Sequence, residues 1–225
     1  MRVGVISPVK YLAKFSSKLH LCYASLLNRR EYLNYYTSVD GVRILEDSPN
    51  LPRRPNIERL KEGMKLVKPN YVVLPSIDFS AKKTIELVKY FLSKVKTSQS
   101  IGVIQGYDID SLQTCYNFLK DNCELVALPS PLETIAKRAE IARDLGLGKK
   151  VIWLEVYSNP YEEIPAKESM GICTSFPLRL AQVNKRLSEF AQRPGNPVLL
   201  DFGKDDLVEE LASENVREYI GVVQG

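Results

Sequence analysis

The chain has 225 residues, 31 Lys+Arg against 27 Asp+Glu for a formal net charge of +4, 44% hydrophobic residues, four cysteines and one histidine. That composition excludes a disordered chain, a collagen-like repeat and a disulfide-stapled mini-protein, and a single domain over residues 1–225 is the default at this length. The mild positive charge admits a polyanionic partner without requiring one.

Short runs rich in Val, Ile and Leu recur and end in Pro, Ser, Asp, Asn or Gly: Val3–Ser7, Val42–Asp47, Tyr71–Pro75, Ile101–Gly106, Leu125–Pro129, Val151–Val156, Ser169–Ser175 and Pro197–Phe202. They are apolar almost throughout instead of alternating, as strands of a parallel sheet covered on both faces are. Helical periodicity predicts helices over Ile57–Lys68, Ala81–Lys94, Ser111–Lys120, Pro131–Leu145 and Leu178–Ala191. In the last, Leu180, Val183, Leu187 and Phe190 recur at helical spacing and make one apolar face. The Tyr- and Leu-dense stretch Leu19–Tyr36 is expected to form the first crossover, and Lys204–Ile220 a closing helix. Eight strands with helical crossovers predict an α/β fold, a compact (β/α)8 TIM-type barrel; a doubly wound open sheet uses the same local units and is the alternative. No Gly- or Ser-rich linker and no internal repeat divides the chain.

Cys22, Cys115, Cys123 and Cys173 are scattered without a C-x-x-C pair, and His20 is the single histidine, so neither a metal site nor a cofactor is expected. The cysteines read as reduced thiols, mostly buried. The opening Met1–Pro8 is too short and too strand-like for a signal peptide, and no later run approaches membrane-spanning length. The expectation is a cytoplasmic protein with no membrane partner.

In a barrel, chemistry sits at the C-terminal ends of the strands. Those ends offer Ser7, Glu46-Asp47-Ser48, Ser76-Ile77-Asp78, Gln105-Gly106-Tyr107, Pro129-Ser130, Glu155, Cys173-Thr174-Ser175 and Asp201. Ser76, Ser80 and Ser130 read first as helix N-caps. Gln105 differs: an amide at the end of a buried apolar run, followed by Gly106, presents donors and an acceptor suited to a planar heterocycle. Arg53 and Arg54 follow the Asp47 strand end and are the first candidates for phosphate contact, ahead of Arg29-Arg30 and Lys82-Lys83. Lys149-Lys150 precedes a strand and belongs to the opposite face.

The segment Ile101-Gly-Val-Ile-Gln-Gly106, followed by Tyr107-Asp-Ile-Asp-Ser-Leu-Gln-Thr-Cys115, resembles the V-V-Q-G segment of the tRNA-guanine transglycosylase superfamily, including its smaller phage and bacterial members that act on DNA guanine. Val42-Arg-Ile-Leu-Glu-Asp-Ser48, Tyr71-Val-Val-Leu-Pro-Ser-Ile-Asp78, Leu125-Val-Ala-Leu-Pro129 and Met170-Gly-Ile-Cys-Thr-Ser175 follow in the family's order, so the resemblance covers residues 40–190. It implies a barrel that exchanges a guanine in tRNA or DNA for a 7-deazaguanine. It further implies Asp47 as the acid that contacts the base and moves a proton, Ser76 and Asp78 as readers of the guanine edge with Gln105 and Gly106, Leu128 at the strand end that supplies backbone amides, and Cys173 at the nucleophile position. Tyr107 is the candidate stacking partner. The chain departs from the pattern at three places. Cys173 stands where the family has an aspartate, Ser76 where it has the reading aspartate, and Leu128-Pro129 where it has Gly-Gly.

Base exchange needs a nucleophile at the anomeric carbon, groups that stabilise the departing purine, and a base for the incoming one. A carboxylate suits the first role; a thiolate needs its pKa lowered, for which the following helix and Arg179 are candidates, and Asp201 is the alternative nucleophile. A base within a duplex must be flipped or already unpaired to enter a barrel. Two further readings stand beside exchange. One is a catalytically degenerate barrel serving as a nucleic-acid-binding or partner subunit, as a homodimer or with a homologous chain. The other is a barrel for a phosphorylated metabolite held near Asp201-Phe-Gly-Lys204.

Overall fold

The computed structural model describes residues 2–48, 55–97, 99–129, 138–148, 150–156, 169–190 and 207–225. Eight strands, β1 (Arg2–Val5), β2 (Leu19–Tyr23), β3 (Val42–Glu46), β4 (Tyr71–Val73), β5 (Ser100–Val103), β6 (Leu125–Pro129), β7 (Val151–Val156) and β8 (Gly171–Thr174), form one sheet. Their order is β1-β8-β7-β6-β5-β4-β3-β2, and every adjacent pair is parallel. The two ends of this order meet: a Cβ on Gly4 of β1 would lie 2.7 Å from the carbonyl oxygen of Leu19 in β2. Glycine permits that backbone approach, and the sheet is a nearly closed (β/α)8-type barrel.

Among the described residues the helices are α1 (Arg30–Ser38), α2 (Ile57–Val67), α3 (Ala81–Lys94), α4 (Ile109–Asn122), α5 (Arg138–Asp144), α6 (Phe176–Gln182), α7 (Leu187–Phe190) and α8 (Glu209–Gln224). Alternation along each strand produces two apolar layers. Leu19, Leu21, Ile44, Val73, Ile101, Val103, Leu125, Ala127, Ile152, Leu154 and Cys173 pack together inside the barrel. Their neighbours Cys22, Leu45, Val72, Val126, Leu128, Trp153 and Ile172 pack outward with helix residues such as Leu60, Val88, Phe91, Leu112, Leu119 and Ile141. This double coverage is the reason the runs read as continuously apolar.

Two expectations are corrected. Leu19–Tyr36 is not the first crossover: Leu19–Tyr23 is the wholly buried strand β2, and only Arg30–Ser38 is helical. The connection from β1 to β2 instead carries a single 3-10 turn at Val9–Tyr11. Apolar and tyrosine residues run through both halves of the stretch, hiding the change of period. The single helix expected over Leu178–Ala191 is two, α6 and α7. Asn184 adopts a left-handed conformation at φ 55°, and the Lys185 N–H turns back to the Leu180 carbonyl, which ends α6 and leaves Val183 49% exposed. The other predicted runs coincide with β1 and β3–β8, while Pro197–Phe202 lies outside the described residues.

Candidate functional site at the C-terminal end of the barrel

Each crossover helix near the site starts on a side-chain cap. Asn56 caps α2 by accepting from the Arg59 N–H, Ser80 caps α3 by accepting from the Lys83 N–H, and Asp108 forms a reciprocal capping box with Ser111 on α4. The bonds from Ser111 hold the Asp108 carboxyl below its ordinary pKa. The cap reading therefore holds for Ser80. Ser76 has a different partner, and Ser130 lies outside the described residues.

The ends of β4 and β5 bring three predicted residues together. Gln105 is fully buried; its Nε2 donates to Asp78 Oδ1 at 3.3 Å and to Ser76 Oγ at 3.5 Å, and its Oε1 accepts from the Phe79 N–H at 3.1 Å. Thr84 braces the same loop, accepting from the Ile77 N–H and donating to the Ile77 carbonyl. Behind Gln105, its backbone N–H points at Cys115, whose thiol burial pushes up to about 11. Gly106 is required by packing: a Cβ there would lie 2.6 Å from the Leu112 nitrogen and 2.6 Å from Ser111 Oγ. Tyr107 turns outward at 72% exposure, at the rim of the barrel mouth.

Asp47 stands apart from this group, directly after β3. Arg59 reaches it from α2 in a bidentate pair, Nε to Oδ1 at 2.6 Å and Nη2 to Oδ2 at 2.8 Å, and Oδ2 also accepts from the Asn56 N–H at 2.8 Å. The carboxylate raises the guanidinium's pKa. Asp47 thus ties the start of α2 to the end of β3, a role with no signature in the sequence beyond an acid twelve residues before an arginine.

Cys173 has no exposed surface and lies in the paired part of β8, opposite Gly4 in register and among the apolar residues of the barrel interior. Leu128 directs its side chain to the outer layer, and its carbonyl accepts from Arg138 Nη1 at 3.3 Å. The same Nη1 bridges to the Leu154 carbonyl at 3.3 Å, with the guanidinium 5.2 Å from the Trp153 ring centroid. Sequence reasoning missed Arg138, Arg59 and Phe79; the first two are helix residues whose partners lie on other elements. Arg53, Arg54, Lys149 and Asp201 lie outside the described residues. Among the described residues no group of three or more His, Cys, Asp or Glu is placed to hold a metal ion, and no helix is long and apolar enough to cross a membrane.

The arrangement sets a carboxylate oxygen and an amide NH2 side by side, each held by the other. Such a pair can accept and donate along one planar edge. Compared with models of known protein families the chain matches none, and no curated protein matches it.

Proposed function

We propose that the C-terminal face of this barrel binds a guanine-type base presented by nucleic acid, tRNA or DNA, and that its reaction is exchange of guanine for a 7-deazaguanine. The observation that carries the reading is the Ser76–Asp78–Gln105 group. Guanine offers N1–H and N2–H donors beside the O6 acceptor; Asp78 matches the donors and the Gln105 amide the acceptor. At 3.3 and 3.5 Å the bonds within the group are long, so a ligand edge can replace them at small cost. In exchange, a nucleophile displaces guanine from the sugar's anomeric carbon as the carbon–N9 bond breaks, and an acid protonates the leaving base. The incoming deazaguanine then attacks through its own N9, gives up that proton and releases the nucleophile. Asp47 is the proposed acid and base, Cys173 the residue at the nucleophile position, and the Gly106 and Leu128 backbones are the proposed wall of the site, the Leu128 side chain itself facing the outer layer.

Two observations favour a second reading, a non-catalytic base-binding barrel that pairs with a homologous subunit. Cys173 is enclosed by apolar side chains, an environment in which thiols are inert, and Asp47 is engaged by Arg59. Labelled guanine offered with tRNA, single-stranded DNA and duplex DNA decides between them. Incorporation that is lost in Asp47→Ala and Asp78→Ala supports exchange. Guanine binding by calorimetry without incorporation supports the second reading, and neither binding nor incorporation sinks both.

A further inference from the structure

The mouth of the barrel carries exposed aromatic rings on both sides of Gln105. Phe79 directly follows Asp78, and Tyr107 is two residues beyond Gln105; they are 40% and 72% exposed, with Ile109 at 40% beside Tyr107. Neither ring stacks on another aromatic ring among the described residues. Phe79 is also one of the few non-glycine residues in the left-handed region, at φ 59°. A bulky residue disfavours that conformation, and here it persists because the Gln105 side chain holds the Phe79 N–H. Phe79 thus combines a left-handed backbone with a ring that is 40% exposed.

The charge differs between the two rings: two lysines follow Phe79, whereas Tyr107 is followed by Asp108, which caps α4, and by the exposed Asp110. Lys82 and Lys83 are exposed in the first turn of α3, three and four residues after Phe79, and that turn contains no acid. Neither lysine has an ion-pair partner among the described residues. Exposed rings with unpaired cations at one end, here Lys82 and Lys83 beyond Phe79, are a surface that unpaired nucleic acid uses, bases stacking on the rings and phosphates meeting the lysines.

We infer that Phe79 and Tyr107, with Lys82 and Lys83, form a platform that holds the unpaired strand on either side of the base entering the Gln105 site. The platform reads base faces and phosphates, which DNA and RNA share. It is a positioning surface, separate from the groups that touch the exchanged base, and it rests on the reading of Asp78 and Gln105 as base-binding groups.

The test is fluorescence anisotropy of the full chain with labelled fifteen-residue oligothymidine and oligouridine, neither of which contains guanine. The wild-type chain is expected to bind both, more weakly as salt rises. Tyr107→Ala combined with Phe79→Gly is expected to lose about thirtyfold in affinity, from about 1 kcal/mol for each stacked base. Glycine suits the φ of 59°, so the fold is kept, and a thermal melt verifies it. Lys82→Glu with Lys83→Glu is expected to flatten the plot of log affinity against log salt by about 1.4, two phosphates at about 0.7 each. No binding by the wild type, ring variants within twofold of it, or equal competition by polyglutamate would each overturn the platform. Calorimetry with free guanine reports on the pocket separately. Strand binding without guanine binding sinks only the base reading, and guanine binding without strand binding sinks only the platform.

Discussion

Replacing Gln105 with leucine removes a buried amide that holds three groups while nearly preserving volume, so the cost is polar and not a cavity. The Phe79 N–H loses its acceptor, at about 1–2 kcal/mol for a donor in a partly buried loop. Loss of the longer bond to Asp78 adds about 1 kcal/mol, and the 3.5 Å approach to Ser76 adds almost nothing. Gln105→Leu is therefore expected to destabilise the chain by about 2–3 kcal/mol in urea unfolding at pH 7, with an unchanged m value. The informative measurement is the cycle with Phe79→Gly. A glycine loop can turn its N–H to water without strain, so the cost of Gln105→Leu should fall by about 1 kcal/mol in that background. Additivity within about 0.3 kcal/mol would refute the claim that Gln105 clamps a strained Phe79.

Asp47→Ala removes a bidentate ion pair and an amide bond from a site only 12% exposed on the acid's side, and should lower stability by about 2 kcal/mol; Arg59→Ala should cost about 1 kcal/mol. Denaturant midpoints check both, and a neutral Asp47→Ala would mean that the carboxylate does not anchor α2. Burial holds the His20 pKa below its ordinary 6.5, while its Nε2 meets the Asp40 carbonyl at 3.1 Å. Below pH 6.5 the unfolded chain takes up a proton that the folded chain resists, so this contribution to stability is intact above pH 6.5 and falls as the pH drops. Melting temperatures at pH 7.5 and 5.5 should show a drop that His20→Gln reduces; an equal drop in both proteins would refute it. Burial pushes the Cys115 and Cys123 thiols up to about 11 and Cys22 higher still, so the native chain should react with a disulfide reagent at pH 8 on the order of a hundredfold more slowly than an exposed thiol. Mass mapping should find partly exposed Cys123 modified first, and modification of Cys173 ahead of it would overturn the placement of that thiol.

The barrel was readable because its signal is repeated: one apolar run per strand, one amphipathic stretch per crossover. Where a local signal was ambiguous, reading failed. Leu19–Tyr23 carries the alternation of a strand, but Tyr32, Tyr35 and Tyr36 continue the same composition into α1 with neither glycine nor proline at the boundary. The break at Asn184 is a single left-handed residue within an otherwise periodic stretch. The Ser76, Asp78 and Gln105 group was accessible because adjacent parallel strands place their C-terminal ends together. Arg59 and Arg138 were not, since each acts across elements through a geometry that spacing does not encode. Phe79 carries no sequence signal at all; a phenylalanine in a left-handed turn is visible only in the backbone.

The depth of Cys173 bears on the choice between exchange and simple binding. Gln105 and Ser76 lie two and three residues beyond the last residues of β5 and β4, Val103 and Val73, whereas Cys173 is within β8 and paired in register with Gly4. Measured along a strand, that is a difference of roughly three residues, about 10 Å. A base seated on Asp78 and Gln105 would direct its sugar back along the strand from which it was drawn, toward the mouth and the rings at its rim. The thiol lies within the apolar layer of the barrel interior, below that seat. On the proposed reading Cys173 acts only if the base seats deeper than Gln105, so the incorporation assay must vary Cys173 as well as Asp47. If Cys173→Ala incorporates as much label as the wild type while Asp47→Ala incorporates none, the carboxylate after β3 carries the reaction and its pairing with Arg59 must open during turnover. If neither protein incorporates label but both bind guanine, the barrel has kept the recognition half of the chemistry and given up the bond-breaking half.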